Sequence, residues 1–198
     1  LSASRGVIRA DNAAEFVTAF ERVRAVLREP SNAAECAGTD DRILVEGYIP
    51  GIEVSLEGLL TDGKLRVLAL FDKPDPLEGP FFEETIYVTP SRLPDDVQER
   101  VALAAQRATK ALGLRDGPVH AELRINDEGI FPIDIAARSI GGLCARTLQF
   151  GTGMSLEEIV LRHAVGEDID SFDSARPASG VMMIPIPLAG ELRAVSGV

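Results

Sequence analysis

The chain has 198 residues, 45% of them hydrophobic and 5% aromatic, with a formal net charge of −11. That is enough apolar material for a real core in one domain or two tightly packed lobes. The acidic balance, with no Lys/Arg-rich stretch, argues against nucleic acid as a partner, and no apolar run is long enough to span a bilayer.

The chain opens on a small-residue loop, Ser2-Ala-Ser-Arg-Gly6, followed by a short extended piece at Val7-Ile8. Asp11 caps a helix reaching about Arg28, just before Pro30, and Phe16, Phe20, Val23 and Leu27 at helical spacing form its core stripe. Residues 31–41 are polar and read as a surface loop. An apolar strand from Arg42 to Ile49 breaks at Pro50-Gly51, and a new strand runs from Glu53 to Leu60. It turns at Asp62-Gly63 and returns through Leu65 to Phe71. The implied register pairs Val54 with Phe71, Leu56 with Ala69 and Leu60 with Leu65, leaving Glu53, Ser55 and Glu57 on the opposite face.

Asp72 to Glu84 is a Pro- and Gly-rich loop, and a loop of that length inside a compact domain tends to be functional. Tyr87-Val-Thr-Pro90 closes the segment. Asp95 or Asp96 starts a helix to Leu112, ended by Gly113, with Val97, Val101, Ala104, Ala108 and Leu112 as its buried face. Ser155-Leu-Glu-Glu158 is a capping box opening a further helix, and His163 near its C-terminus fits a cap or dipole role. Gly180 to Pro187 reads as a final edge strand. The pattern is α+β, without internal repeats. Cys36 and Cys144 lack metal-type spacing and form no disulfide framework; with no signal-peptide pattern, a reduced, cytoplasmic protein is expected. Cys144 reads as a small core residue.

The most informative stretch is His120 to Arg138. Two alternating runs flank Asp127-Glu128-Gly129, a three-residue hairpin loop. Pairing Asn126 with Ile130 then places Ile125 opposite Phe131, Leu123 opposite Ile133 and Ala121 opposite Ile135 on an apolar face. Glu122 faces Asp134 on the other side, with His120 and Arg138 flanking them. Opposed carboxylates repel, so the pair either lies on a solvated outer face or holds a cation between them. Arg138, followed by Ser139-Ile140-Gly141-Gly142, favours the cation: hard oxygen ligands, a guanidinium and free backbone N–H groups suit magnesium-bound phosphates.

This hairpin resembles the catalytic hairpin of the ATP-grasp superfamily. The resemblance implies an α+β ATP-grasp fold, an antiparallel sheet with flanking helices, using ATP and Mg²⁺ (or Mn²⁺). Glu122 and Asp134 would be the metal-binding acids, and Arg138 would contact phosphate or an acyl phosphate. The family's usual Asn after the second acid is Ala136 here, which leaves one or two metals open. Residues 42–53 resemble the superfamily's adenine linker, with Glu46, Gly47 and Ile49 at the adenine edge and Glu53 on the ribose hydroxyls. Arg5 and Gly6 would belong to the phosphate-binding glycine-rich loop. Lys73 would carry positive charge to the phosphates, Glu83 or Glu84 would select the substrate, and Gly141 and Gly142 would line its site.

The same resemblance divides the chain into a remnant of the first lobe, residues 1–44, and a second lobe, residues 45–198. The chain then starts inside the glycine-rich loop, after a phosphate-contacting lysine, and stops before the fold would end. Losing that contact, worth on the order of 1.5–3 kcal/mol, makes weak turnover the expectation for this piece alone. The implied reaction joins a small-molecule carboxylate, activated as an acyl phosphate, to an amine or similar nucleophile. Bicarbonate activation of the carbamoyl-phosphate synthetase or biotin carboxylase kind, and a non-catalytic nucleotide-binding module, are the alternatives. A homo-oligomer stays open.

Overall fold

A computed structural model describes residues 4–29, 32, 42–169, 171–175, 177–184, 190, 191, 193 and 194. The middle of the molecule is β1 (Ile52–Thr61), buried continuously from Glu53 to Leu60. Burial on both faces means that β1 has neighbours on either edge and layers above and below. On its edges lie β2 (Lys64–Asp72) and β4 (Gly117–Asn126). Adding β3 (Ile86–Thr89), β5 (Gly129–Ala136) and β8 (Ser179–Met182) gives an antiparallel sheet of order β5-β4-β1-β2-β3-β8.

Side chains alternate across a strand, so β1 splits its residues between two layers. Val54, Leu56 and Leu60 join Leu70, Val119, Ala121 and Leu123 against Val101 and Ala105 of helix α2 (Asp95–Ala111). On the other side Leu59 and Phe71 pack on Ile140, Cys144 and Phe150, and on Leu156 and Ile159 of helix α3 (Leu156–Val165). A 3-10 turn (Cys144–Thr147) and the two-stranded ribbon of β6 (Gln149–Phe150) and β7 (Met154–Ser155) complete that layer. Ser155 caps α3 by accepting from the Glu158 N–H at 3.1 Å, as the capping box requires. His163 near its end meets Thr61 Oγ1 through Nε2 at 2.9 Å.

Both long hairpins differ from the expected register, for one reason. The β1–β2 pairing is regular from Leu60–Leu65, then shifts between Glu57 and Gly58, so Val54 faces Asp72 and Leu56 faces Leu70. The β4–β5 turn holds two residues, Asp127 and Glu128, with Asn126 opposite Gly129 and Leu123 opposite Pro132. A bulge then restores Glu122 opposite Asp134 and Ala121 opposite Ile135. That insertion lets Ile130 and Ile135, an odd number of positions apart, pack on the same core cluster.

Other elements also depart from expectation. Helix α1 (Ala13–Leu27) is capped by Asn12 rather than Asp11, whose N–H is taken by Glu15 Oε2 at 2.8 Å. It has no buried residue, and Phe16, expected in a core stripe, is exposed. Residues 42–49 form no strand, and Leu44 and Val45 are exposed. In α2 the buried positions are Val101, Ala105 and Thr109, while Leu112 is exposed because it follows the last turn. Cys36, the end of the last expected strand at Pro187, and most of the 31–41 loop lie outside the described residues.

Candidate active site

The neighbouring strands β1 and β4 set a double row of polar side chains on the face opposite α2. Glu53 pairs with Arg124, Ser55 with Glu122 and Glu57 with His120 across the β1–β4 ladder. Every residue in these pairs is buried except Glu122, which is partly exposed. Such a row needs internal partners, because an unpaired buried charge is costly. Among the described residues, no buried side-chain polar atom lacks a hydrogen bond.

Lys73, just past β2, sits at the centre. Its Nζ lies 2.7 Å from Glu53 Oε1, 2.5 Å from Glu122 Oε1 and 3.2 Å from Glu84 Oε1, with the Tyr87 ring centroid at 5.0 Å. Burial favours the neutral amine, but Glu122, Glu53 and Glu84 outweigh it and hold Lys73 protonated, above its usual range. Burial would likewise raise Glu122; the hydrogen bond from His120 and the charge of Lys73 overcome it and depress its pKa well below normal. His120 joins two acids, with Nδ1 at 2.5 Å from Glu57 Oε1 and Nε2 at 3.7 Å from Glu122 Oε1. Burial opposes its charge, but these carboxylates push its pKa up to about 9, so an imidazolium is held there at neutral pH. Glu57 and Glu84 are both raised, chiefly by burial. The other oxygen of Glu57 accepts from the Ile140 N–H at 3.1 Å, tying the segment after Arg138 to the sheet.

The expected site residues fall into three groups. Lys73, Glu53, Glu84 and Glu122 are drawn into one cluster, and Asp134 stands beside Glu122 in the ladder with its own side chain exposed. Arg138, Gly141 and Gly142 follow β5 as exposed residues; Arg138 donates to the Ser139 carbonyl at 2.9 Å, and Ile140 between them is buried. Glu46 and Gly47 are exposed on the linker, whereas the Ile49 carbonyl is held by Arg124 at 2.9 Å. Glu83 is exposed, and the Arg5 guanidinium donates to Asn32 Oδ1. Glu53 does not present a free carboxylate, since Lys73 and Arg124 take its two oxygens.

Arg124, Glu57 and the central place of His120 escaped the reading of the sequence. Their signal is the period-2 polar series 53-55-57 and 120-122-124 within strands otherwise rich in Val, Leu and Ala. A strand polar on alternate positions and flanked on both edges must bury those polar groups together.

Two carboxylates on one face, Glu122 and Asp134, are hard oxygen donors suited to a divalent cation such as Mg²⁺. No group of three or more His, Cys, Asp or Glu placed to hold a metal occurs among the described residues. A cation here would therefore complete its shell with oxygens from phosphates and water, as magnesium commonly does.

A family model of the ATP-grasp domain matches residues 1–147. An alanine–anticapsin ligase of Bacillus subtilis is 32% identical over 125 residues, covering 62% of this chain and 25% of that protein. Carnosine synthase 1 of Gallus gallus is 34% identical over 109 residues, 55% of this chain and 12% of that one. The crystal structure of an L-amino acid ligase from Bacillus licheniformis superposes with a TM-score of 0.75 at 29% identity, over 90% of this chain and 44% of its own. The chain thus spans about a quarter or less of these curated relatives' length. With the match to its domain model extending well past the middle of the sequence, the chain belongs to the ATP-grasp family.

Proposed function

We propose that this chain forms the nucleotide- and magnesium-binding part of an ATP-dependent ligase, which activates a carboxylate as an acyl phosphate for attack by an amine. The observation carrying this is the Glu122–Asp134 pair at the end of a charged face, with Arg138 four residues beyond Asp134. Similarity to alanine–anticapsin ligase and L-amino acid ligase supports amino acids as the class supplying carboxylate and amine.

In this reading Glu122 and Asp134 hold the metal, which when bound would neutralise phosphate charge. Lys73 and His120 keep the Glu122 carboxylate ionised and fixed in direction. The bond between Glu57 and the Ile140 N–H sets the loop that carries Arg138, whose guanidinium is exposed and able to swing onto a phosphoryl oxygen. Chemistry of this sort asks for placement of charge and needs no protein nucleophile. Glu46 to Ile49 would receive the adenine, Arg5 and Gly6 the phosphates, and Glu83 or Glu84 with Gly141 and Gly142 the acceptor side.

The test is Mg²⁺-dependent ATP binding by calorimetry, followed by ADP release with a panel of amino acids and bicarbonate. Changing both Glu122 and Asp134 to Ala should abolish the Mg²⁺-dependent part of binding, and unchanged binding in that double variant would falsify the assignment. ADP release stimulated by amino acids supports the ligase; binding with no stimulated release leaves a non-catalytic nucleotide module.

A further inference from the structure

Arg124 projects from β4 on the charged face, 3% exposed, and its guanidinium reaches three separate segments. Nε and Nη2 lie 3.0 and 2.9 Å from Glu53 Oε2. Nη1 donates to the Ile49 carbonyl at 2.9 Å, at the end of the linker, and Nη2 donates to the Leu77 carbonyl in the long loop between β2 and β3. The linker and the loop each also lend an aromatic ring. Tyr48 and Phe82 stack with centroids 6.4 Å apart, and the guanidinium carbon lies 5.3 and 5.5 Å from them. Beside this, Asn126 Nδ2 donates to the Pro50 carbonyl at 2.8 Å. Gly51 has φ +126°, and a Cβ there would stand 2.2 Å from the Ile125 carbonyl oxygen, so the turn after the linker lies flat on β4.

Residues 42–49 make no sheet pairing of their own, so these contacts hold the linker to the sheet. On the nucleotide-binding reading a base would be met there by peptide groups, and peptide groups recognise an edge best when their planes are fixed beforehand. We propose that Arg124 is the positioning residue for the nucleotide's base: it clamps the 46–49 linker and the 74–84 loop onto β4 as one unit. This deepens the nucleotide-ligase reading and rests on it. A planar fork with five N–H donors can serve a carboxylate and two carbonyls at once, whereas an ammonium of lysine reaches as a point charge.

The experiment compares wild type with Arg124→Lys for binding of Mg-ADP and of Mg-tripolyphosphate, which has phosphates but no base. Arg124→Lys keeps the charge beside Glu53 and should weaken ADP binding about tenfold or more, leaving tripolyphosphate within about twofold. Equal weakening of both ligands, or no change for ADP, overturns the clamp while leaving the nucleotide site standing. Failure of the wild type to bind ADP at all overturns both readings together. Amide exchange in the wild type gives an answer that does not need the variant to fold. Mg-ADP should slow exchange in 46–49 and 74–84 together; protection of the linker alone overturns the proposal.

Discussion

The two faces of β1 and β4 are built from alternate residues of the same strands and are held together by opposite means. Toward α2, Val54, Leu56, Ala121 and Leu123 bury apolar surface without direction, and any side chains of the right volume would serve. On the other face Glu53, Glu57, Lys73, His120 and Arg124 are buried too, yet each one's cost depends on a particular neighbour being present. The apolar face holds by burial, the charged face by particular pairings.

Three measurements sharpen that contrast. Lys73→Met should be the most damaging single change, because it strands the carboxylates of Glu53, Glu84 and Glu122 around an uncharged side chain. Breaking a buried ionic cluster from one side costs about 3–5 kcal/mol, read as a drop in the denaturant midpoint. A Lys73→Met protein as stable as wild type would mean the cluster is solvated.

Leu123→Ala, its neighbour on the apolar face, removes side-chain volume from a fully buried position and should cost about 2–5 kcal/mol. The distinguishing signature is ligand response: Leu123→Ala should retain Mg-ADP affinity in the folded fraction, while Lys73→Met should lose it.

The smallest of the three effects is in the pH dependence. The folded pKa of His120, about 9, lies above its ordinary value of 6.5, so its contribution is fully present below the ordinary value and lost as pH rises through the folded one. The size is on the order of 3 kcal/mol at most. Denaturant midpoints should therefore decline on going from neutral to alkaline pH, and His120→Gln should flatten that decline. Glu122 works in the opposite sense: its depressed pKa gives stability present above the usual carboxylate range and lost in strong acid.

The two long hairpins, α2, α3 and the carboxylate pair were legible from alternation, helical spacing and turn chemistry, and the antiparallel sheet from the family resemblance. The Glu122–Asp134 partnership came out right although the turn was read one residue too long. The overcounted loop and the unseen bulge cancel before the acids are reached. Ile130 and Ile135 carry the missing clue, since a straight strand cannot bury both on one side. Less visible was the β1–β4 ladder, which joins residues far apart in the sequence, Ile52 with Ile125 at one end and Leu60 with Gly117 at the other, and so leaves no local trace of who pairs with whom. Without it the Glu53–Arg124 and Glu57–His120 couples could not be found. Helix α1 shows the reverse failure: its apolar stripe is plain in the sequence, but Phe16 is exposed and Phe20, Val23 and Leu27 are only half-buried.

Ile133 stands outside the β4–β5 ladder, between Pro132 opposite Leu123 and Asp134 opposite Glu122. Removing it would leave an unbroken ladder with the same two acids still abreast, so the residue contributes nothing to who meets whom. What it adds is curvature: a strand with one surplus residue coils more tightly at that point. The angle at which Asp134 stands against Glu122 is thus written as chain length, a property that no substitution at Asp134 itself could reproduce.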